Sequence, residues 1–599
     1  MPDIHQRPNI GIAVSGGGLR AATLALGYVR ALHLLGLTHQ ARYLASNSGG
    51  SWFSAPFSYQ QVTVYVYAVM PVDVFLGPYL RPQDLSLASL ADVGKGAQGA
   101  FAATLAASGI VLNAVRGAVG DAVTGSRQGP GAWSNSVGAA YLEPYGLNAD
   151  ESTVTANGTA GPVHAALRQL PGIAAYTYQG SFDSWTRNNT PRPFPIILGS
   201  LIGGASPQSS FYPVEFSPLY TGSPPVHINC TDPARTIGGG FVDPQGFNSA
   251  PPDPAPEVPA ALAAAVGADP TGFDALVMPP PAAAPTAAKA TNSSGRALLQ
   301  APGLNSNAST DKSLNSQLPL TTAVTASFVV PLKVVVGISS SFLAQLTTPE
   351  KQQRQERTGT EDLDYWNQVN FKGQRQLFAD GAGTDNLAVT PLLRRRVQAI
   401  VACVASVEPL LPNTTADHWA AIQWDVSGLF GAVPLQHKSF KAGKVLGTGS
   451  TPEQLNRASQ VFPTSAWPEL YGALNLSVAQ GGPAHHLADY TVQDNPYLAV
   501  HGGWQVRVLW VFNAQQTNWE QQLPADTRAL LDSSRTRRGG LYDQDGASDA
   551  ERDGKGKPEL KMFPYISTLE ANYSPELVGL LSQQATWQLL QLQEQLGHL

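Results

Sequence analysis

Two turns, each carrying a short strand straight into a helix, dominate the first 52 residues and leave few folds open to the chain. Asn9 to Ser15 (NIGIAVS) is a β-branched, apolar run that leads into Gly16-Gly17-Gly18, the pattern of a buried strand feeding a tight turn. Leu19 to Leu35 then sets Ala22, Leu26, Val29, Leu32 and Leu35 at helical spacing, with Gly36 as a stop. Arg42 to Ala45 reads as the next strand, and it ends in a second small-residue turn, Ser46-Asn47-Ser48-Gly49-Gly50. Strand, turn, helix, strand is the order of a crossover between parallel strands. The expected class is therefore α/β, with a parallel-sheet core carrying large helical and loop insertions.

Both turns suit chemistry. A glycine turn at a helix start aims backbone N–H groups at one point, which favours negative charge. Ser15-Gly16-Gly17-Gly18-Leu19-Arg20 is thus either a phosphate or dinucleotide cradle or an oxyanion hole. Gly16-x-Gly18-x-x-Ala21 fits the dinucleotide fingerprint, but that fingerprint needs an acid about 20 residues on. No Asp or Glu occurs from Ile4 to Val72, and Arg7, Arg20, Arg30 and Arg42 leave the segment electropositive. The second turn has the form of a nucleophile elbow centred on Ser48, with Ser46 in the place of the usual first glycine. Ser46 and Ser51 are rival nucleophiles, and a Ser/Gly loop without chemistry is the bland reading of the same residues. Far downstream, Phe378-Ala379-Asp380-Gly381 ends an expected strand, Gln376 to Ala379. Asp-Gly alone is an ordinary turn, yet an Asp at a strand end can also reach a site at the sheet's carboxyl edge. Of the 11 histidines, the His485-His486 pair is the most visible, and it lies in a Gly/Pro-rich stretch that reads as loop. An Asp in a desolvated pocket is the alternative base, because burial raises its pKa.

The chain has 599 residues, 43% of them apolar and only 13% charged. That suits one large domain with insertions. Residues 249–319 are rich in Pro, Ala, Ser and Asn and are expected to be a disordered insertion, with 1–248 and 320–599 forming a single domain around it. Residues 533–557 read as a charged surface loop. Val324 to Ile338, Val397 to Val404 and Trp504 to Val511 read as strands, and Ser574 to Leu596 as an amphipathic helix. Gly96 to Val115 carries no charge, but its Ala and Gly content favours a buried or membrane-facing helix over a span. The net charge of -6 argues against nucleic-acid partners. Met1 to Pro8 has no signal-peptide pattern, so the start is read as cytosolic or truncated. Eight Asn-x-Ser/Thr sequons, at Asn157, Asn188, Asn229, Asn292, Asn307, Asn413, Asn475 and Asn572, point instead toward a lumenal or extracellular setting. Cys230 and Cys403 are too few for a disulfide framework, and both one bridge and two buried thiols stay open.

SGGGLRA, then YLASNSGGSW, then FADG together resemble the patatin, cytosolic phospholipase A2 and fungal phospholipase B group. Phe211 to Pro218 is similar to that group's EFSP-like segment, and Gly337 to Phe342 to its GTSSSLF. Asp73 to Leu87 and Met562 to Trp587 extend the resemblance over nearly the whole chain. It implies a Ser/Asp dyad without histidine, Ser48 as nucleophile and Asp380 as base. It also implies oxyanion donors at Gly17, Gly18 and Gly49, and Arg20 holding the substrate phosphate. The expected activity is release of fatty acid from phospholipid or lysophospholipid at a membrane or micelle surface, without metal or cofactor, since neither an EF-hand loop nor a His/Asp metal cluster is visible. Two departures stand out: Ser46 in the elbow, and Ala382 where the group has a second glycine after the Asp. They keep a lipid-binding pseudoenzyme of the same fold as the alternative. Arg394-Arg395-Arg396 falls near a second functional arginine of the group, but reads by itself as a solvated charge run.

Overall fold

The computed structural model describes residues 6–60, 70–108, 131–150, 152–154, 192–202, 211–224, 240–242, 244, 247–248, 330–341, 361–366, 373–411, 414–440, 443–444, 450–534, 562–570 and 573–599. The expected insertion at 249–319 and most of the loop at 533–557 lie outside them.

Among the described residues a sheet of 11 strands forms the centre, in the order β10-β11-β9-β1-β2-β3-β4-β5-β6, with β8 also on β3 and β7 on β8. The strands are β1 (Ile10–Val14), β2 (Tyr43–Ser46), β3 (Phe194–Ile202), β4 (Phe211–Phe216), β5 (Thr221–Ser223), β6 (Gly240–Val242), β7 (Glu361–Trp366), β8 (Gly373–Asp380), β9 (Ala399–Val404), β10 (Ala484–Thr491) and β11 (Gln505–Phe512). β11, β9, β1, β2 and β3 run parallel to one another. The remaining pairings are antiparallel. β1, β2 and β9 are buried along their whole length, as expected of parallel strands covered on both faces. Strands from both sides of 249–319 share this one sheet.

Helix α1 (Gly18–Leu34) follows β1, and α2 (Gly49–Tyr59) follows β2. α3 (Leu332–Ser339) lies over β3, where its Ile338 methyl would stand 2.8 Å from a Cβ on Gly199. α4 (Trp424–Leu429) lies between β9 and β10 in the chain, and α5 (Pro575–Leu590) packs along α1. The two backbones of that last pair nearly touch: a Cβ on Gly27 would lie 2.2 Å from the Ser582 carbonyl.

Three expectations are corrected. Within Val324 to Ile338, the described part is the helix α3, because Pro331 provides an extended N-cap and the apolar side chains pack inward from a helix as well as from a strand. His485 and His486 sit on β10, not in a loop. α5 is not amphipathic: Leu577 through Leu589 are all buried. Its glutamines are buried at no polar loss where they find carbonyls, as Gln588 Nε2 does on Phe512 O at 2.7 Å and Gln583 Nε2 on Pro78 O at 3.1 Å. Among the described residues no helix is long and apolar enough to cross a membrane, and Phe101 and Leu105 of the uncharged stretch are core residues.

Candidate active site

The register of β3 places the site. β2 pairs with the first half of β3, ending with Ser46 opposite Ile197. β8 runs in from the opposite direction on the second half, ending with Asp380 opposite Gly199. β4 covers Ile197 to Ile202, so β2 and β8 share the other edge. Two strands therefore meet end to end over β3, their last residues two positions apart, about 7 Å along the strand. The turn leaving β2 presents Ser48, and the end of β8 presents Asp380.

Ser48 adopts φ 48° and ψ -124°, a conformation costly for a residue with a Cβ. Strain of that kind is what a sharp strand-to-helix elbow imposes on its central serine. The end of α3 holds it there: the Ser48 N–H donates to Ser339 O at 3.1 Å and to Ser339 Oγ at 3.0 Å. Asp380 N–H donates to Ser341 O at 3.4 Å, so the same short segment ties down both strand ends. The rival hydroxyls are occupied. Ser46 Oγ shares a hydrogen bond with Ser54 Oγ of α2, and Ser51 Oγ donates to Ser48 O at 2.6 Å. The serine in place of the usual glycine is thus accommodated by a small partner on the next helix turn.

Asp380 is 1% exposed. Its Oδ1 accepts the Ala382 N–H at 2.8 Å and Asn47 Nδ2 at 3.3 Å, and the Ser48 side chain lies close enough to favour its charged form. Burial pushes its pKa up to about 7, and these three neighbours offset this only in part. Ala382 therefore contributes its backbone amide, a contact that needs no glycine. The only histidine pair in the chain lies on β10, separated from β2 by β11, β9 and β1.

The glycine turn faces this pair. Gly17 has φ 139° and Gly18 has φ 60°, both in the region that favours glycine. Gly16 N–H donates to Asn386 O at 2.8 Å, whereas the amides of Gly17, Gly18 and Gly49 make no hydrogen bond among the described residues. A Cβ on Gly49 would lie 2.0 Å from Gly18 O and 2.7 Å from Gly18 N, so the starts of α1 and α2 are in contact. Two helix N-termini with free amides beside a serine hydroxyl make a site suited to a developing oxyanion.

Arg20 lies against the glycine turn, its Nη2 2.7 Å from where a Cβ on Gly17 would stand. Its guanidinium is 2% exposed and donates to Ala405 O at 3.0 Å, to Ile566 O and to Thr568 Oγ1 at 3.2 Å. Burial lowers its pKa to about 10, against the attraction of Tyr573, Asp425 and Glu408. In this arrangement Arg20 ties the glycine turn to the end of β9 and to the segment before α5. Two more arginines of this segment are likewise tied to oxygens. Arg30 donates to Leu76 O, Gln98 O and Thr586 Oγ1, and Arg7 to Ala41 O and Arg192 O. With no acid nearby in sequence, buried arginines close on carbonyl oxygens. The Arg394-Arg395 pair is not a solvated run. Arg394 is buried and Arg395 half-buried against Glu215 of β4, itself 0% exposed, with Arg394 Nη2 to Oε1 at 2.6 Å. Burial raises the Glu215 pKa, but Arg395 and Arg394 outweigh it and hold the carboxyl below its ordinary range.

Sequence reasoning missed Asn47, Ser339, Ser341 and Asn386. Asn47 lies inside the elbow motif as an amide adjacent to the nucleophile, and Ser339 and Ser341 lie inside the Gly337 to Phe342 segment, whereas Asn386 carried no signal. Cys403 is a buried free thiol on β9, and Cys230 lies outside the described residues, as do all the sequons except Asn475. Asn475 Nδ2 donates to Leu411 O at 3.3 Å and to Tyr471 Oη at 3.3 Å. Among the described residues no group of three or more His, Cys, Asp or Glu could hold a metal ion.

No protein-family profile matches the chain, and no curated protein matches it in sequence. Among solved structures, the chain is similar to human GIVD cytosolic phospholipase A2, at 15% identity and a TM-score of 0.38, covering 99% of this chain and 62% of that one. It is also similar to the same human protein in complex with methyl gamma-linolenyl fluorophosphonate, at 13% identity and a TM-score of 0.34, covering 100% of this chain and 59% of that one. The chain thus spans less than two thirds of the length of these relatives.

Proposed function

We propose that this chain is a phospholipid acyl hydrolase of the phospholipase A2 or lysophospholipase type, acting through Ser48 and Asp380. One observation carries the reading: a serine strained at φ 48° in a strand-to-helix turn, beside a buried carboxyl whose pKa is pushed up to about 7. An Asp at its ordinary pKa is too weak a base for a serine hydroxyl at neutral pH, and desolvation removes much of that deficit.

In the proposed mechanism Asp380 accepts the Ser48 proton as Oγ attacks the acyl carbonyl. The carbonyl oxygen becomes an oxyanion held by the amides of Gly17, Gly18 and Gly49. Collapse expels the glycerol-side alcohol, which takes the proton from Asp380 and leaves an acyl-enzyme. Water, deprotonated by Asp380, then attacks the acyl carbon and releases fatty acid and free Ser48. A glycerophospholipid presented at a membrane or micelle surface is the substrate class that the motif resemblance supplies. The Ser46 departure does not favour the pseudoenzyme alternative, because Ser54 accommodates its hydroxyl. The test is fatty-acid release from phosphatidylcholine and lysophosphatidylcholine by wild type, Ser48→Ala and Asp380→Asn. Release by wild type alone supports the reading. Equal release by Ser48→Ala sinks it.

A further inference from the structure

Asn47 connects Asp380 to more than the elbow. Its Nδ2 donates to Asp380 Oδ1 at 3.3 Å and to Asn386 Oδ1 at 3.3 Å. Asn386 Nδ2 in turn donates to Asp425 Oδ2 at 2.9 Å, while Asp425 Oδ1 accepts the N–H of Val426 at 2.9 Å. The result is a chain of carboxylate, amide, amide, carboxylate that begins on α4 and ends at the candidate base. Its polarity is fixed at both ends. Turning either amide over would set a carbonyl oxygen against a carboxylate, so each has one acceptable orientation.

Asn386 also reaches the oxyanion turn. Its backbone carbonyl accepts the Gly16 N–H at 2.8 Å, and its Oδ1 lies 2.3 Å from where a Cβ on Gly16 would stand. Asn386 therefore threads the gap that the missing side chain leaves. The loop carrying it is pinned by Asp385, whose carboxyl accepts from Leu387 N, Thr390 N and Thr390 Oγ1 at 2.9, 2.7 and 2.7 Å.

We propose that Asn386 and Asp425 are positioning residues for the acyl-transfer reaction. Asn386, anchored by Asp425, holds Asn47 so that the Asp380 carboxyl stays aimed at Ser48, and holds the glycine turn in register with it. This rests on the dyad reading above. Neither residue touches substrate in the proposal, so the effect belongs on kcat and not on KM.

The test is a charge exchange. Asn386→Asp places a carboxylate against Asp425 and breaks the chain. Adding Asp425→Asn in the same molecule restores a donor facing the introduced carboxylate, whose other oxygen still accepts from Asn47. The expected result for Asn386→Asp is a kcat lower by about 10–100-fold, with KM within about threefold. The double variant should regain most of that loss, and Asn386→Ala should match the single variant. All three are compared with wild type for fluorophosphonate labelling at Ser48 and for circular dichroism. Should Asn386→Ala not fold, the exchange pair still decides. A kcat within about threefold of wild type for Asn386→Asp, or a double variant no better than the single one, overturns the inference while leaving the dyad standing. Wild type that is not labelled at Ser48 overturns the dyad reading and this inference with it.

Discussion

Asp380→Asn should abolish the proposed activity and make the protein more stable, by an amount that grows as the pH rises above the unfolded carboxyl pKa and levels off above the folded one. The Asp380 pKa stands at about 7 against a usual 3.8, with desolvation as the largest cause. A carboxyl whose pKa is raised on folding binds its proton more tightly in the native state. Native stability therefore falls as pH climbs from the unfolded pKa to the folded one, and levels off above about 7. A difference of about three units corresponds to about 4 kcal/mol at pH 8 and about 2 kcal/mol at pH 5. Asparagine keeps the geometry: its Oδ1 can accept from Ala382 N and Asn47 Nδ2, and its amide can donate to Ser48 Oγ. It carries no charge to desolvate. Denaturant unfolding of wild type and Asp380→Asn at pH 5 and pH 8 should show an advantage for the variant that grows by about 2 kcal/mol across that interval. An advantage that does not change with pH, or a variant less stable than wild type at pH 8, would refute the claim that Asp380 is held charged against its desolvation.

Other consequences follow from the same geometry. Ser46→Gly should retain turnover within a few-fold, since its hydroxyl pairs only with Ser54, whereas Gly49→Ala drives a Cβ to 2.0 Å from Gly18 O and should lower kcat by about 100-fold or more in single-turnover assays. Arg20→Gln should depress turnover of a phosphate-free ester and of phosphatidylcholine to the same degree, because its guanidinium braces the turn; a loss confined to the phospholipid would mean that Arg20 does hold phosphate. Glu215→Gln should cost about 3–5 kcal/mol at pH 7 by leaving Arg394 and Arg395 unpaired. Because the Glu215 pKa is depressed on folding, that difference should be present above the usual Glu pKa and shrink as the pH falls through the folded one, as followed by denaturant titrations at pH 7 and pH 4.

The two turns were legible because backbone geometry dictates their residues: Gly17 and Gly18 sit at positive φ, and Gly49 meets the backbone of Gly18. The strands β1, β9 and β11 were legible as apolar runs, and β8 only at its end, Gln376 to Ala379. What was not legible depends on partners distant in sequence. α3 resembles a strand in composition, because its β-branched apolar residues suit either element. Arg20, Arg30, Arg394 and Arg395 look like surface charge until the carbonyls and the Glu215 carboxylate that receive them are known. Asn386 has no local signature at all, because its role comes from the missing Cβ of Gly16, from Asn47 and from Asp425, on three other segments. The meeting of β2 and β8 along one edge of β3 is likewise a property of register, which short strands do not reveal one at a time.

The most direct test of the central claim is fluorophosphonate labelling of wild type, Ser48→Ala and Asp380→Asn at pH 8, with the adduct mapped by mass spectrometry. The dyad account expects one adduct, on Ser48, formed by wild type, slowed by orders of magnitude in Asp380→Asn and absent from Ser48→Ala. An adduct on Ser46 or Ser51, equal labelling of Asp380→Asn, or no labelling of folded wild type would contradict it.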